Sequence, residues 1–325
     1  MKEIINFVLK NLNKQSNGEN IPVFSNSKSE AVNISSDNFC ELKEKSSSLK
    51  IGFVDGGNSE LICANNLSLH FIRIAGVIYQ NKKKILIKKK EFYCLSTYDN
   101  NKFKTKIFPN ETFKELTFDS FDSSIREGKS RIDISKIGQL VRRLAELEMS
   151  ANLIKESDAL VIDGSLEEKF TFEEDFLKTL FSKAKDKTII GFNKTNSILT
   201  TNGSSVSAIL SNMKEGSWFY HPIIKNPSNY DLYFVKLNNH SKHSFRIDAY
   251  NNPVSLFSEL SNMSKDPIFV GYPYGLIEVD RLARISNKEA ELLKTRLAVE
   301  FSSDWKEVKK YLTSKNAHEI LDNIS

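Results

Sequence analysis

Two stretches of this chain carry the same signal, an apolar run that ends in an acid and is followed at once by glycine. They are Ile51-Gly-Phe-Val-Asp-Gly-Gly57 and Leu160-Val-Ile-Asp-Gly-Ser165. Short apolar runs read as buried strands, and glycine after a strand permits a tight exit and the close approach of a ligand or another backbone. Asp55 and Asp163 are thereby placed at the lips of core strands. Asp-Gly is also a common turn dipeptide, so either one alone is equally an ordinary turn. Two more carboxylates join them: Glu148, within a helical stripe, and Asp280, in an amphipathic segment near the C-terminus. Hard cations such as Mg²⁺ and Mn²⁺ prefer oxygen ligands. Two such ions ~3.5–4 Å apart clamp the attacking and leaving oxygens of a phosphodiester. The chemistry needs acids from separate strand ends and helices to converge, so the elements that carry them decide the matter.

The strand holding Asp55 is followed by Leu67 to Tyr79, where Leu67, Leu69, Phe71, Ala75 and Val77 share one face at period two. A polar turn at 81–84 leads to a third strand from Ile85 to Leu95, giving an antiparallel meander. His70 lies in the second strand and reads as a partly buried structural residue. The lysines at 82–84 and 88–90 read as a solvated hairpin face, with phosphate contact the minority alternative. Residues 96–134 are polar and irregular and read as an insertion.

From Ile134 to about Glu156 the spacing turns helical, with Ile137, Leu140, Val141, Leu144, Leu147, Ala151 and Ile154 in one stripe. Glu148 falls on that stripe, whereas Glu146 lies off it, towards Arg142 and Met149. An inward carboxylate is costly without a partner or metal, so Glu148 is the expected helical acid and Glu146 its competitor. The apolar strand 158–163 is of the kind found in parallel sheets. A helix over 172–184 and a strand over 187–194 follow it. Further strands are expected at 217–224, 230–237, 245–250 and in the apolar run from Pro267. Helices are expected at 1–14, after Tyr272-Pro273, and over 287–300 and 303–322. Trp218, Phe219 and Tyr220 read as sheet packing before base stacking. The order predicts an α/β fold: an RNase H-like mixed sheet in which an antiparallel three-stranded meander is followed by parallel strands and flanking helices.

Composition bounds the rest. The 325 residues are 40% hydrophobic and 27% charged, which is a globular balance. The net charge of +5 permits nucleic-acid binding without arguing for it. No run approaches the ~18 apolar residues of a membrane span, and the N-terminus lacks the pattern of a signal peptide, so a cytoplasmic location is expected. Cys40, Cys63 and Cys94 are widely spaced and point to buried free thiols. His240 and His243 have no nearby cysteine or third histidine to complete a zinc site. P-loop, dinucleotide-binding and H-E-x-x-H motifs are absent from the sequence.

Six pieces occur in order from about residue 50 to 300: Val54-Asp-Gly-Gly57, Glu146-Leu-Glu148, Ile162-Asp-Gly-Ser-Leu166, Gly191-Phe-Asn-Lys194, Phe245-Arg-Ile-Asp248, and Gly271-Tyr-Pro-Tyr-Gly-Leu-Ile-Glu-Val-Asp-Arg-Leu-Ala-Arg-Ile285. Together they resemble the NurA nuclease family. The resemblance implies an RNase H-like, Mn²⁺-dependent (or Mg²⁺-dependent) nuclease with two ions, acting on DNA ends and single strands in end resection, repair or defence. It implies a homodimer that works with a HerA-type hexameric ATPase. It assigns Asp55, Glu148, Asp163 and Asp280 as metal-binding acids, Tyr272 as an active-site side chain near the scissile phosphate, and Lys194 as a basic substrate contact. The family often has His where this chain has Asp280. The implied organisation is an N-terminal helix and arm over 1–48, a nuclease domain over 49–300 with the insertion 96–134, and a helical tail over 301–325. Two other classes fit Asp-Gly strand ends. An actin-like or sugar-kinase-type ATPase would need a glycine-rich adenosine segment in the C-terminal half, where the residues beyond 200 offer only Gly203, Gly216, Gly271 and Gly275. A non-catalytic DNA-binding subunit of an ATPase complex would not need to keep unpaired acids together.

Overall fold

The computed structural model describes residues 1–14, 20–24, 30–43, 48–195, 198–227 and 229–312. Helix α1 (Lys2–Lys14) and the short strands β1 (Glu30–Ala31) and β2 (Phe39–Glu41) come first. The meander then forms from three long strands, β3 (Ile51–Ala64), β4 (Leu67–Gln80) and β5 (Lys83–Asp99), each antiparallel to the next. Its period-two alternation is why it pairs as expected. The chain continues through β6 (Lys102–Phe108) and β7 (Thr117–Asp119) into helix α2 (Ser135–Leu153), and then through β8 (Ala159–Asp163), α3 (Glu173–Ala184) and β9 (Thr188–Asn193). After α4 (Val206–Met213) come β10 (Trp218–Tyr220), β11 (Ile224–Lys225), β12 (Asp231–Lys236) and β13 (Phe245–Tyr250). Helices α5 (Val254–Asn262), α6 (Tyr274–Ala283), α7 (Asn287–Phe301) and α8 (Trp305–Leu312) close the described chain.

Among the described residues, one sheet runs in the order β2-β10-β12-β13-β9-β8-β3-β4-β5-β6-β7. Its centre is β5-β4-β3-β8-β9, an antiparallel meander to which β8 and β9 add in parallel. This is the RNase H-like mixed sheet that the element order predicts. Even-numbered residues of β3 and β8, such as Val54, Leu160 and Ile162, pack with Val141, Leu144 and Leu177 of α2 and α3. Odd-numbered ones, Ile51, Phe53, Ala159 and Val161, pack with Leu256 of α5 and with Leu276 and Val279 of α6. The strands around residues 51–55 and 159–162 are therefore covered on both faces, which is why they read as unbroken apolar runs.

Four expectations change. The segment 96–134 is not wholly irregular: it completes β5 and adds β6 and β7, whose Phe103, Ile107 and Phe118 are buried under alternating polar neighbours. The apolar run from Pro267 is turn rather than strand before α6. Helix α5 was not expected, because Ser255, Ser258 and Ser261 interrupt its apolar face, yet Ser258 and Ser261 are buried and donate to backbone carbonyls. The strand expected over 217–224 is two short pieces separated by His221-Pro222. Part of the loop expected over 15–35, and the helix expected beyond residue 312, lie outside the described residues.

Trp218 and Tyr220 are fully buried in the core formed with Phe234 and Ile223, as the packing reading requires. His70 is 2% exposed and fits against Gly138 of α2. Lys84, Lys88 and Lys90 pair with Glu278, Glu156 and Glu148. No helix among the described residues is long and apolar enough to cross a membrane.

Candidate functional site

Asp55 lies just past the stretch over which β3 pairs with β8, beside the C-terminal ends of β8 and β9. Strand β3 itself runs on to Ala64, so Asp55 is within a continuing strand and not at the strand end expected. Asp55, Asp163 and Lys194 follow the odd-numbered residues of β3 and β8 and the even-numbered Ile190 and Phe192 of β9, all of which face α6. Helix α6 supplies Asp280 from that side. Carboxylate oxygens of Asp55, Asp163 and Asp280 all lie within 4.8 Å of one another. Lys194 Nζ stands among them, 2.5 Å from Asp163 Oδ2 and 3.4 Å from Asp280 Oδ1. The acids face a cleft of about 630 Å³ whose lining also includes Arg142, Arg143, Glu146, Ser165 and Lys169.

A fourth carboxylate reaches the site from the other face of the sheet. It belongs to Glu146, which is 2% exposed, and not to Glu148. Glu148 turns to the sheet margin and pairs with Lys90 of β5. The stripe argument misplaced the acid because α2 is buried over most of its circumference, by β3 and β4 on one side and by α3 on another. Glu146 is held by Arg142, an i−4 neighbour that also donates to the Gly56 carbonyl at 2.8 Å. Arg143 lies 3.7 Å from it and bonds the buried Glu173 at 2.8 Å and the Ser165 carbonyl. The spacing Arg-Arg-x-x-Glu was the sequence signal for this paired acid.

Two glycines make the approach possible. A Cβ at Gly56 would lie 2.5 Å from Glu146 Oε1, and one at Gly57 would lie 2.3 Å from the carbonyl oxygen of Ala283 at the end of α6. Backbone thus leaves no room for a side chain at Gly57, while one at Gly56 would displace the Glu146 and Ile74 side chains.

The loop leaving β8 is pinned from beneath by a residue to which the sequence reading gave no role. Asp248 of β13 is fully buried and accepts from Leu166 N at 3.0 Å, Arg246 Nε at 2.9 Å and Asn193 Nδ2 at 3.4 Å. It therefore ties the segment after Asp163 to the residue before Lys194. Its signal was the Arg246-x-Asp248 pair, which shares one face of a strand.

Tyr272 lies below the acids and not in the open cleft. Its ring is 5.7 Å from Lys194 Nζ, and its buried hydroxyl has no hydrogen-bond partner.

The electrostatics follow from burial and crowding. Burial, then the Asp163 and Glu146 carboxylates, push Asp55 up to about 7. Burial raises Asp163 as well, although Lys194 pulls it back. Burial raises Glu146 against the pull of Arg142 and Arg143. For Lys194, burial works against the charge, but Asp163, Asp280 and Asp55 outweigh it and hold the ammonium above its usual range. Crowded acids that resist ionisation together are what a cation relieves. Hard oxygen donors from three separate elements fit a divalent ion of the Mg²⁺ or Mn²⁺ kind.

No family model matches the chain, and no curated protein does. Among solved structures it is similar to the NurA nuclease from Sulfolobus solfataricus, with a TM-score of 0.55 at 16% identity over 82% of this chain and 88% of that one. It is less similar to Ciona intestinalis Endonuclease V in complex with an inosine-containing DNA, with a TM-score of 0.42 at 13% identity over 90% and 100% of the two chains. Endonuclease V from Bacillus subtilis gives 0.37 at 15% identity over 92% and 95%. The chain therefore has a NurA-like fold: a mixed sheet with flanking helices on both faces.

Proposed function

We propose that this protein is a metal-dependent DNA nuclease that hydrolyses phosphodiester bonds at DNA ends and in single strands. The observation that carries the reading is the convergence of Asp55, Asp163 and Asp280 at the mouth of a cleft walled by basic side chains. The NurA-like fold supports it. Two of the C-terminal glycines do not favour the nucleotide-binding alternative: Gly271 is packed on Ser241 and Gly275 on Phe53.

In this reading Asp55, Asp163 and Asp280 hold the ions, two Mn²⁺ or Mg²⁺, with Glu146 as the fourth carboxylate of the site in place of Glu148. Bound there, the ions supply Lewis-acid polarisation of the phosphate and a water acidified towards neutral pH. Lys194 and Lys169 meet the negative charge of the strand. Tyr272 supports Lys194 from below through its ring. Arg142 and Arg143 are committed to Glu146 and Glu173 and keep the wall in shape. Action in end resection, repair or defence, a homodimeric state and a HerA-type hexameric ATPase partner belong to the same reading.

The test is cleavage of labelled single-stranded and duplex DNA with Mn²⁺ by the protein and by Asp55→Ala and Asp163→Ala. Cleavage is expected to fall to background in both variants. Cleavage retained by both, with folding intact, would end the assignment.

A further inference from the structure

Lys194 competes with any ion that uses the acid cluster. Its ammonium contacts an oxygen of Asp163 and one of Asp280, and both acids belong to the converging set. Of the other charged residues that line the cleft, Arg142 and Arg143 are matched by Glu146 and Glu173, which leaves Lys169. Lys194 is thus the ammonium in contact with the converging aspartates. A divalent ion on the same oxygens would stand within a few ångströms of the ammonium, and like charges that close repel strongly. Lysine is suited to yield, because its charge rides on a flexible four-carbon stem. The Lys194 side chain is 42% exposed and lines the cleft, so a way out is open to it.

We propose that Lys194 is a metal-displaced lysine: its ammonium neutralises Asp163 and Asp280 until a divalent ion takes those oxygens, and it then turns into the cleft to meet a phosphate of the substrate. The first half concerns the metal alone, while the second rests on the nuclease reading. One side chain would thus couple metal loading to substrate capture.

Lys194→Met removes the charge and keeps the length. Mn²⁺ affinity is read by titration calorimetry, melting temperature in EDTA and in Mn²⁺, and cleavage as kcat and KM on a single-stranded oligonucleotide. The variant is expected to bind Mn²⁺ about tenfold more tightly, to melt lower in EDTA, and to cleave with a raised KM. Tighter metal with poorer substrate capture is a pairing that a loosened site does not give. In the unaltered protein, lysine-selective ¹³C NMR is expected to shift the Lys194 signal on addition of Mg²⁺. Unchanged or weaker Mn²⁺ binding by Lys194→Met, or a Lys194 signal that Mg²⁺ leaves in place, overturns the proposal. If neither protein binds Mn²⁺, the nuclease reading falls with it; if both bind equally and cleave DNA, only the displacement falls.

Discussion

Glu146 Oε1 lies so close beneath Gly56 that a single methyl group on that glycine would stand 2.5 Å from it. Glu146 of helix α2 is thus tied to the β3 backbone directly after Asp55, with Arg142 bridging it to the Gly56 carbonyl. The relationship separates the two helical glutamates sharply. Glu148→Gln removes a partly exposed pair with Lys90, a contact type worth about 0–1 kcal/mol, and is expected to leave stability and cleavage near wild type. Glu146→Gln removes a buried charge that Arg142 and Arg143 need, and a disturbance of this kind beside a metal site costs about 10–100-fold. Cleavage and Mn²⁺ affinity of the two variants, compared side by side, decide the matter. Equal effects would contradict the geometry.

Metal-free stability should fall as the solution becomes less acidic. Asp55 has a folded-state pKa of about 7 against an ordinary value of 3.8. Between those values the folded chain keeps a proton that the unfolded chain has released, so the contribution is full below pH ~4 and is lost as pH rises through 7. Asp163 and Glu146 are raised too and act in the same direction. In EDTA the melting temperature is expected to drop between pH 5 and pH 8. The rise in melting temperature produced by Mn²⁺ should grow over the same window, because metal ligation needs ionised carboxylates. A flat or rising profile in EDTA would show that the acids do not crowd one another.

Tyr272 presents its ring to Lys194 and buries a hydroxyl that bonds nothing. An unsatisfied buried group of this kind costs about 1–3 kcal/mol. Tyr272→Phe is therefore expected to raise the melting temperature in EDTA and to keep cleavage within a few-fold of wild type. A large loss of kcat with folding intact would mean that the hydroxyl reaches the reacting atoms.

Much of the site's frame is legible in the sequence. Asp55, Asp163 and Lys194 each stand at the end of an apolar run, and strand alternation sends all three to one face. Asp280 was placed through the turn at Tyr272-Pro273 and the helix after it. What the one-dimensional pattern misses is burial from more than one side. Helix α2 is enclosed by β3, β4 and α3, so its apolar stripe does not mark a unique inner face, and the stripe selected Glu148 over Glu146. Asp248 was noted in sequence but given no role, because its partners, Leu166 N and Asn193, are brought to it by β13 pairing with β9. Strands β6 and β7 were hidden by Lys102, Lys104, Lys106 and Thr117, which face water while Phe103, Thr105, Ile107 and Phe118 face inward.

The three converging acids are contributed by residues 55, 163 and 280, so the cluster spans most of the chain's contour. Closing loops of that length is an entropic step that local structure cannot take on its own. Two of the acids arrive on neighbouring strands, but the third arrives only when α6 docks on the sheet. Repulsion between Asp55 and Asp163 is therefore met when β3 and β8 pair, and Asp280 adds its charge only at the final docking. A divalent ion bound by all three would act on that last step alone, rewarding the completed topology and no fragment of it.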